Sequence, residues 1–235
     1  MTKAIACGLL PLVLAGCSLV PSGSGEQPTR QDTGSVTQAE RPSTGAASSF
    51  STRADDRVCL TELGSTGARF SPLPDRYDGQ GCTNLGTVQL IALRSDDAEL
   101  AIANLGPVTC PVSQAFASWA RFGVDRAARQ VFGTRLERIE TFGSYACRNV
   151  ARTSRRSAHA TAEAIDIAAF RLANGVRISV LDDWNGGSAQ EREFLRLVRA
   201  SACRRFDTVL SPDYNADHHD HLHVEGVVEG TSYCR

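Results

Sequence analysis

Four of the five histidines of this 235-residue chain fall within one short stretch, Asp217-His218-His219-Asp220-His221-Leu222-His223. The fifth, His159, lies in a second stretch that runs from Ser157 to Asp166. Imidazole and carboxylate groups are the usual ligands of a catalytic zinc ion, which takes three of them and keeps a fourth position for water. Because all five histidines lie in these two stretches, we expect the stretches to converge on one metal site.

The spacing within each stretch restricts the backbone that could present these ligands. His159 and Asp166 are seven residues apart, which would separate them by about 10 Å along a helix and point them to opposite faces of a strand. We therefore predict a loop carrying His159 that folds back over the start of a strand carrying Asp166. His221 and His223 are two apart in a predicted strand, so they share one face. The predicted ligands of a single Zn²⁺ are His159, Asp166 and His223.

Hydrolysis of an amide by zinc-activated water also needs a group that moves protons, and the chain offers two candidates. A regular strand would face Asp220 away from His223, which favours His221. A strand that begins only after Asp220 would not impose this, so both residues remain candidates. We expect His218 and His219 to be solvated loop residues or substrate contacts.

The first 16 residues combine an apolar run with small residues and have the layout of a secretory signal peptide. They lead into Leu14-Ala15-Gly16-Cys17, which resembles a bacterial lipobox, so we expect Cys17 to be lipidated and to anchor the chain to a membrane. Ser18 after this cysteine favours the outer membrane of a Gram-negative cell, which would place the protein in the periplasm.

Residues 17–52 are rich in Ser, Thr, Gly, Pro and Gln and are typical of a disordered tether. We assign residues 53–235 to one folded domain. The formal net charge of −1, from 25 basic and 26 acidic residues, offers no broad basic field and excludes nucleic acid as a partner. The oligomeric state is left open.

Six cysteines remain when Cys7 of the signal peptide and Cys17 are set aside. An exported chain is oxidised, so we predict three disulfides, and the spacing matches no zinc finger. Sequence order does not select the pairing, although we expect Cys234 to be tied back. The six residues are Cys59, Cys82, Cys110, Cys147, Cys203 and Cys234.

Helix signals occur in two places. Pro111 begins a predicted helix that Gly123 interrupts and Gly133 ends, with Phe116 and Trp119 on its buried face. Farther along, a capping box begins a second helix with an apolar stripe. The residues of that helix are Ser188 and Glu191 in the box, then Phe194, Leu195, Leu197 and Val198 on the buried face.

Strand signals dominate elsewhere and predict an α+β domain, in which helices pack on one side of an antiparallel sheet. Asn174-Gly175 predicts a hairpin turn between strands 165–170 and 176–181. Residues 57–108 are interpreted as loops with one or two short strands. Further strands are predicted at 135–145, 206–210 and 221–228.

The two histidine stretches resemble the Ser-x-His-(x)6-Asp and His-x-His signatures of zinc peptidases related to D-Ala-D-Ala carboxypeptidases, lysostaphin-type endopeptidases and hedgehog domains. A closer resemblance, over about Val58 to Arg235, is to the bacterial extensin-like C-terminal domain family. It is carried by Gly143-Ser144-Tyr145-x-Cys147-Arg148, Ala164-Ile165-Asp166, Asn174-Gly175-Val176-Arg177-Ile178-Ser179-Val180 and Leu210-Ser211-Pro212-Asp213-Tyr214-Asn215. The resemblance implies a hedgehog-like α+β fold, one zinc ion and a peptidoglycan peptide as substrate.

Residue by residue, the resemblance places His159, Asp166 and His223 at the metal-ligand positions. Asp220 falls where related enzymes have a carboxylate base, and His221 falls on the partner position of the His-x-His signature. This assignment leaves the choice of base between His221 and Asp220 open.

Arg148 matches an arginine that in related carboxypeptidases stabilises the developing oxyanion. The chain departs from the broader signature at Ala162, where the signature has glycine, and a positive φ at this position would strain an alanine. We predict a peptidase that hydrolyses peptidoglycan, as a carboxypeptidase or crosslink endopeptidase. The alternative is a non-catalytic, zinc-containing lipoprotein that binds wall polymer or a protein, and a third reading is a metal-scavenging lipoprotein.

Overall fold

The computed structural model describes residues 54–235. The predicted signal peptide, the lipidated Cys17 and the tether of residues 17–52 lie outside the described residues. Within the described part of the chain, no helix is both long and apolar enough to cross a membrane.

The described chain is a mixed α+β domain built around one large sheet, with a separate two-stranded hairpin. The helices are α1 (Ala54–Ser65), α2 (Cys110–Trp119), α3 (Arg126–Phe132), α4 (Val180–Asp183) and α5 (Ala189–Ala202). The strands are β1 (Arg69–Pro72), β2 (Arg76–Gly79), β3 (Cys82–Asn84), β4 (Thr87–Arg94), β5 (Glu99–Ala103), β6 (Val108–Thr109), β7 (Leu136–Gly143), β8 (Ala164–Leu172), β9 (Arg177–Ser179), β10 (Thr208–Leu210), β11 (Leu222–Glu225) and β12 (Tyr233–Cys234).

The large sheet has the strand order β1-β4-β5-β7-β8-β11-β10-β12, with β6 beside β4 and β9 beside β8. Most pairs are antiparallel, but β5 pairs with β7 and β10 with β12 in parallel. The predicted antiparallel sheet is therefore confirmed for most of its strand pairs, and these two parallel pairs are the exceptions. The crossover between β5 and β7 contains α2 and α3, which gives the chain the length that a parallel return requires.

The centre of the sheet brings distant segments of the chain together. Asp166 in β8 pairs with His223 in β11 on one side and with Gly143 in β7 on the other. This register places two predicted ligands side by side, although 57 residues separate them.

The region before α2 contains more regular structure than the sequence indicates. It holds α1 and six strands, so the interpretation of residues 57–108 as loops with one or two strands is wrong. β4 is buried on both faces along much of its length, which removes the polar alternation that identifies a strand.

The first predicted helix is confirmed at both ends. Pro111 lies in the first turn of α2, and Gly133 ends α3 in the left-handed conformation with φ 66°. Gly123 lies in a π-helical segment, Ala120–Asp125, that joins the two helices. Phe116 and Trp119 are fully buried, and the Trp119 indole packs edge-on against aromatic rings of the sheet and of the chain that follows α5, Phe170 and Phe206.

The second helix and the hairpin are also confirmed. Ser188 and Glu191 form the capping box of α5, whose Leu197 is only half-buried. Gly175 adopts φ 89° in the turn between β8 and β9. The predicted strand after this turn is too long, because the Ser179 hydroxyl caps α4 and ends β9. The predicted strand 221–228 likewise shortens to β11.

The six remaining cysteines form three disulfides, as predicted. Each links segments that are distant in sequence, and the third ties the C-terminal strand to the end of α5, as expected for Cys234. The pairs are Cys59–Cys110, Cys82–Cys147 and Cys203–Cys234.

Candidate metal centre

The structure brings together the three predicted zinc ligands. His159 lies in a short helical turn, Ala158–Thr161, that precedes β8, whereas Asp166 and His223 lie on the paired strands β8 and β11. Ligand atoms of these three side chains all lie within 4.8 Å of one another.

The turn that carries His159 is defined by local backbone interactions. The Ser157 hydroxyl accepts a hydrogen bond from the His159 backbone N–H at the start of the turn. Ala162 ends the turn in the left-handed conformation, with φ 58°. A left-handed L-residue costs roughly 1–2 kcal/mol, so Ala162 occupies a strained position. The buried Ala162 is held there by a 3.0 Å hydrogen bond from the Thr109 amide to its carbonyl.

The spacing between the ligand groups is close to that around a tetrahedral zinc ion. His159 Nε2 lies 3.2 Å from His223 Nδ1 and 3.2 Å from Asp166 Oδ2. His223 Nδ1 lies 2.9 Å from Asp166 Oδ1. Bonds of about 2.0–2.1 Å in a tetrahedron place neighbouring ligand atoms roughly 3.3 Å apart. The two distances to Asp166 involve its two different oxygens, and the donor set and its spacing are compatible with zinc.

The other nitrogen of each ligand histidine has a hydrogen-bond acceptor of its own. His159 Nδ1 lies 2.5 Å from the Ser144 carbonyl, and His223 Nε2 lies 3.1 Å from Glu225 Oε2. With a metal bound, such partners would favour the tautomer in which the nitrogen facing the centre has its lone pair available to the ion.

Glu225 is a site residue that the sequence reasoning missed. It lies on β11 two residues after His223, and His223 lies two residues after His221. The three residues therefore follow the two-residue period of side chains on one face of a strand. Extending the period-two pattern of the histidines by one step would have found it.

Burial and hydrogen bonding act in opposite directions on the pKa values of the centre. Burial alone would raise the pKa of Asp166, but hydrogen bonds from His159 and His223 hold it well below its usual range. Burial alone would lower the pKa of His223, but hydrogen bonds to Asp166 and Glu225 raise it to about 9. The hydrogen bond to His223 also lowers the pKa of Glu225. The centre is thus a compact arrangement of an ionised carboxylate and basic imidazole.

The geometry separates the two candidates for the base. His221 Nε2 lies 3.4 Å from Asp166 Oδ1, so its ring faces the ligand group. Asp220 contacts the opposite side of that ring, with Oδ1 2.8 Å from His221 Nδ1. Phe142 packs edge-on against the same ring, with centroids 6.0 Å apart. His221 therefore faces both the ligand group and the cleft, whereas Asp220 contacts the far side of its ring.

A cleft of about 670 Å³ opens beside the centre, and His221, His223 and Glu225 line it. Arg148 also lines the cleft, with Nη2 3.9 Å from Asp166 Oδ2 and half of its side chain exposed. The remaining described histidine of the cleft, His218, packs its ring 5.2 Å from that of His221.

His218 and His219, which are neither predicted ligands nor candidates for the base, differ in their environments. Burial and the nearby charges of His221 and His223 lower the pKa of His218 to about 4, so this ring is neutral near pH 7. The His219 side chain is 63% exposed and contacts the Ala216 carbonyl through Nδ1.

The loop that carries Arg148 is braced from outside the large sheet. The Cys82–Cys147 disulfide attaches it to β3, and the Tyr145 hydroxyl donates a 2.7 Å hydrogen bond to Asp78 on β2. These two contacts hold the loop that carries Arg148 in position beside the candidate metal ligands.

One of the comparisons with known proteins finds a match to this chain. The family model described as "Extensin-like protein C-terminus" matches residues 57–235, which is most of the chain. Neither the curated proteins nor the solved structures contain a match to the chain. The match covers all but the first three residues of α1 and every later element through β12, including all the residues of the candidate centre, and the chain therefore belongs to the extensin-like protein C-terminal family.

Proposed function

We propose that the protein is a zinc-dependent peptidase that hydrolyses peptide bonds of peptidoglycan, as a carboxypeptidase or as a crosslink endopeptidase. The observation that supports this most directly is the convergence of His159, Asp166 and His223 beside an open cleft. A structural zinc site has four protein ligands, whereas a catalytic site uses three and keeps one position open. Among the described residues, the ligand group has three members.

The metal-binding part of the proposal follows from the hydrogen bonds around the ligands. His159 would bind one zinc ion through Nε2, and His223 through Nδ1, because their other nitrogens are engaged by Ser144 and Glu225. Asp166, which stays ionised, would provide the third ligand. When bound, zinc polarises a carbonyl and lowers the pKa of water towards neutrality.

His221 is the proposed proton carrier. Its Nε2 faces the centre and would accept a proton as water adds to the amide carbon, then transfer that proton to the departing amine nitrogen. Asp220 would orient the ring through Nδ1 and stabilise its protonated form. The C–N bond breaks, and the products are a carboxylate and a free amine.

Arg148 is the proposed stabiliser of the charge that develops on the carbonyl oxygen. Its guanidinium lies at the edge of the centre, and its 3.9 Å approach to Asp166 is too long for a strong hydrogen bond. The group is therefore available to a substrate oxygen, and a fixed cation near developing negative charge lowers the barrier.

The proposed substrate and location rest on the whole chain. A lipobox-like sequence ending in Cys17 and three disulfides are typical of an exported lipoprotein, for which the wall is the nearest peptide polymer. We propose a hedgehog-like peptidase fold on a lipid anchor, in the periplasm and on the outer membrane of a Gram-negative cell.

The test combines metal content with digestion. We expect the purified protein to hold one zinc per chain, and we expect His223→Ala to lose it. Digestion of purified peptidoglycan should generate new amine termini, detected by mass spectrometry. His221→Ala should retain zinc and lose at least about a hundredfold in rate, whereas the exposed His219→Ala should remain active.

Two results would overturn the proposal in different ways. Failure to bind stoichiometric zinc would remove the metal centre. Full zinc occupancy without cleavage of any peptidoglycan peptide would leave the centre intact and favour the non-catalytic, wall-binding or protein-binding alternative.

A further inference from the structure

The segment 148–157 lines one part of the cleft and carries four arginines, namely Arg148, Arg152, Arg155 and Arg156. Two of them have partners of their own. Arg152 forms an ion pair with Asp217, and Arg156 donates two hydrogen bonds to the Gln80 carbonyl, at 3.1 and 2.8 Å. These two guanidinium groups therefore hold the loop in place and are not free for a ligand.

Arg155 differs from its neighbours. It lines the cleft, and within residues 54–235 its side chain forms no hydrogen bond or ion pair. Its backbone is nevertheless held, because its carbonyl accepts a 2.9 Å hydrogen bond from the Val150 amide and its amide donates to the Thr153 hydroxyl. A fixed backbone thus presents an unpaired guanidinium to the cleft.

The surroundings of Arg155 connect it to the centre. Arg155 lines the same cleft as the candidate ligand His223 and its hydrogen-bond partner Glu225. The cleft also contains the Tyr214 and Tyr233 rings, whose centroids are 6.2 Å apart. A ligand that occupies the cleft beside the metal centre therefore shares that cleft with the Arg155 side chain.

We propose that Arg155 binds a free carboxylate of the substrate peptide, in the part of the peptide that flanks the bond to be cut. This inference rests on the proposed peptidase function and narrows its substrate class to peptides with such a carboxylate. The planar guanidinium donates two parallel hydrogen bonds to a carboxylate, whereas a primary amide lacks both the charge and the second acceptor oxygen. Arg155 would be a specificity-determining residue, distinct from Arg148 at the carbonyl oxygen.

The experiment measures binding, so that it does not depend on turnover. Full-length, zinc-loaded His221→Ala protein is titrated with peptidoglycan peptides that have free carboxylates, and with the same peptides after conversion of these groups to primary amides. We expect amidation to weaken binding about tenfold to a hundredfold, because a charge-assisted hydrogen bond is lost. Adding Arg155→Gln should weaken binding of the free acid by a similar factor and leave the amidated peptide nearly unaffected.

Arg138→Gln is the matched control, because Arg138 is an exposed arginine on β7 that lies outside the cleft lining. This variant should keep the full preference for the free acid. Equal affinity for acid and amide, or a preference that survives Arg155→Gln, would overturn the inference.

A separate incubation of the unmodified protein with the free-carboxylate peptide tests hydrolysis. Binding that depends on Arg155 without cleavage would overturn the peptidase function and support carboxylate recognition. Cleavage of the free-carboxylate peptide and of the amidated peptide at equal rates would support the peptidase function and overturn carboxylate recognition by Arg155.

Discussion

Each ligand histidine of the candidate centre is oriented by an acceptor on the side of the ring that faces away from the centre. For His159 this acceptor is the Ser144 carbonyl, which no side-chain substitution removes. For His223 it is the Glu225 carboxylate, 3.1 Å from Nε2. Mutation can therefore test how much such a hydrogen bond contributes to metal binding at His223, but not at His159.

We expect Glu225→Ala to lower zinc affinity by about ten- to hundredfold, because the His223 ring loses the partner that fixes its tautomer. Competition with a chromogenic chelator measures this change. Glu163→Ala is the control, since the Glu163 carboxylate accepts from the Thr161 hydroxyl and is not part of the ligand group. Equal losses in both variants would contradict a specific role for Glu225.

The pKa of His223 predicts how the metal-free protein responds to pH. The pKa is about 9 in the folded protein and 6.5 in the unfolded chain, so the protonated ring stabilises the fold fully below pH 6.5. This stabilisation is lost as the pH rises from 6.5 through 9. We expect the Tm of the metal-free protein to fall over that window, measured by circular dichroism.

His223→Gln removes the titrating group and should flatten this part of the pH profile. A Tm that rises between pH 6.5 and 9 in the metal-free protein, or the same slope in His223→Gln, would show that another group is responsible.

Among the helices, the π-helical segment has a packing role that its glycine explains. A Cβ built on Gly123 would lie 2.9 Å from Trp119 Cδ1 and 3.1 Å from Ser201 Cβ, closer than carbon atoms normally approach. The absence of a side chain therefore lets this segment lie directly against α5. The helix interruption predicted at Gly123 is therefore also the point where this segment contacts α5.

We expect Gly123→Ala to lower the free energy of unfolding by about 1–3 kcal/mol, because the added methyl forces the two helices apart. Gly64→Ala in α1 is the matched control, since its Cβ would meet no atom within 4 Å. That change should be neutral or stabilise by up to about 1 kcal/mol. Urea denaturation measures both, and equal effects would contradict the packing argument.

For the molecule as a whole, the candidate metal centre connects three segments, namely the turn at His159, β8 and β11. A zinc ion bound there stabilises the folded state only, since the unfolded chain does not bring these segments together. At a free zinc concentration about a thousandfold above the Kd, the gain is about 4 kcal/mol.

This gain corresponds to a rise in Tm of roughly 10 °C for a domain of this size. Differential scanning calorimetry with zinc and with EDTA measures it, and His223→Ala should give the same Tm in both solutions. A Tm of the unmodified protein that does not respond to EDTA would argue against a metal bound by these residues.

Features that depend on a few neighbouring residues were predictable from the sequence alone. The capping box at Ser188, the hairpin turn at Gly175 and the helix end at Gly133 depend on local backbone chemistry, and each is present in the structure. The choice of His159, Asp166 and His223 as a group likewise followed from residue type, because few side chains can bind zinc.

Features that depend on which distant segments meet were decided only by the tertiary structure. The cysteines were predicted to pair, but only the packing of α1 on α2 brings Cys59 to Cys110. The parallel pairing of β7 with β5 and the six strands before α2 also have no clear pattern in the local sequence. The orientation of His221 towards the ligands, with Asp220 behind it, depends on where β11 begins. Pairing between distant strands and loops is a property of the packed chain, and no short stretch of sequence contains it.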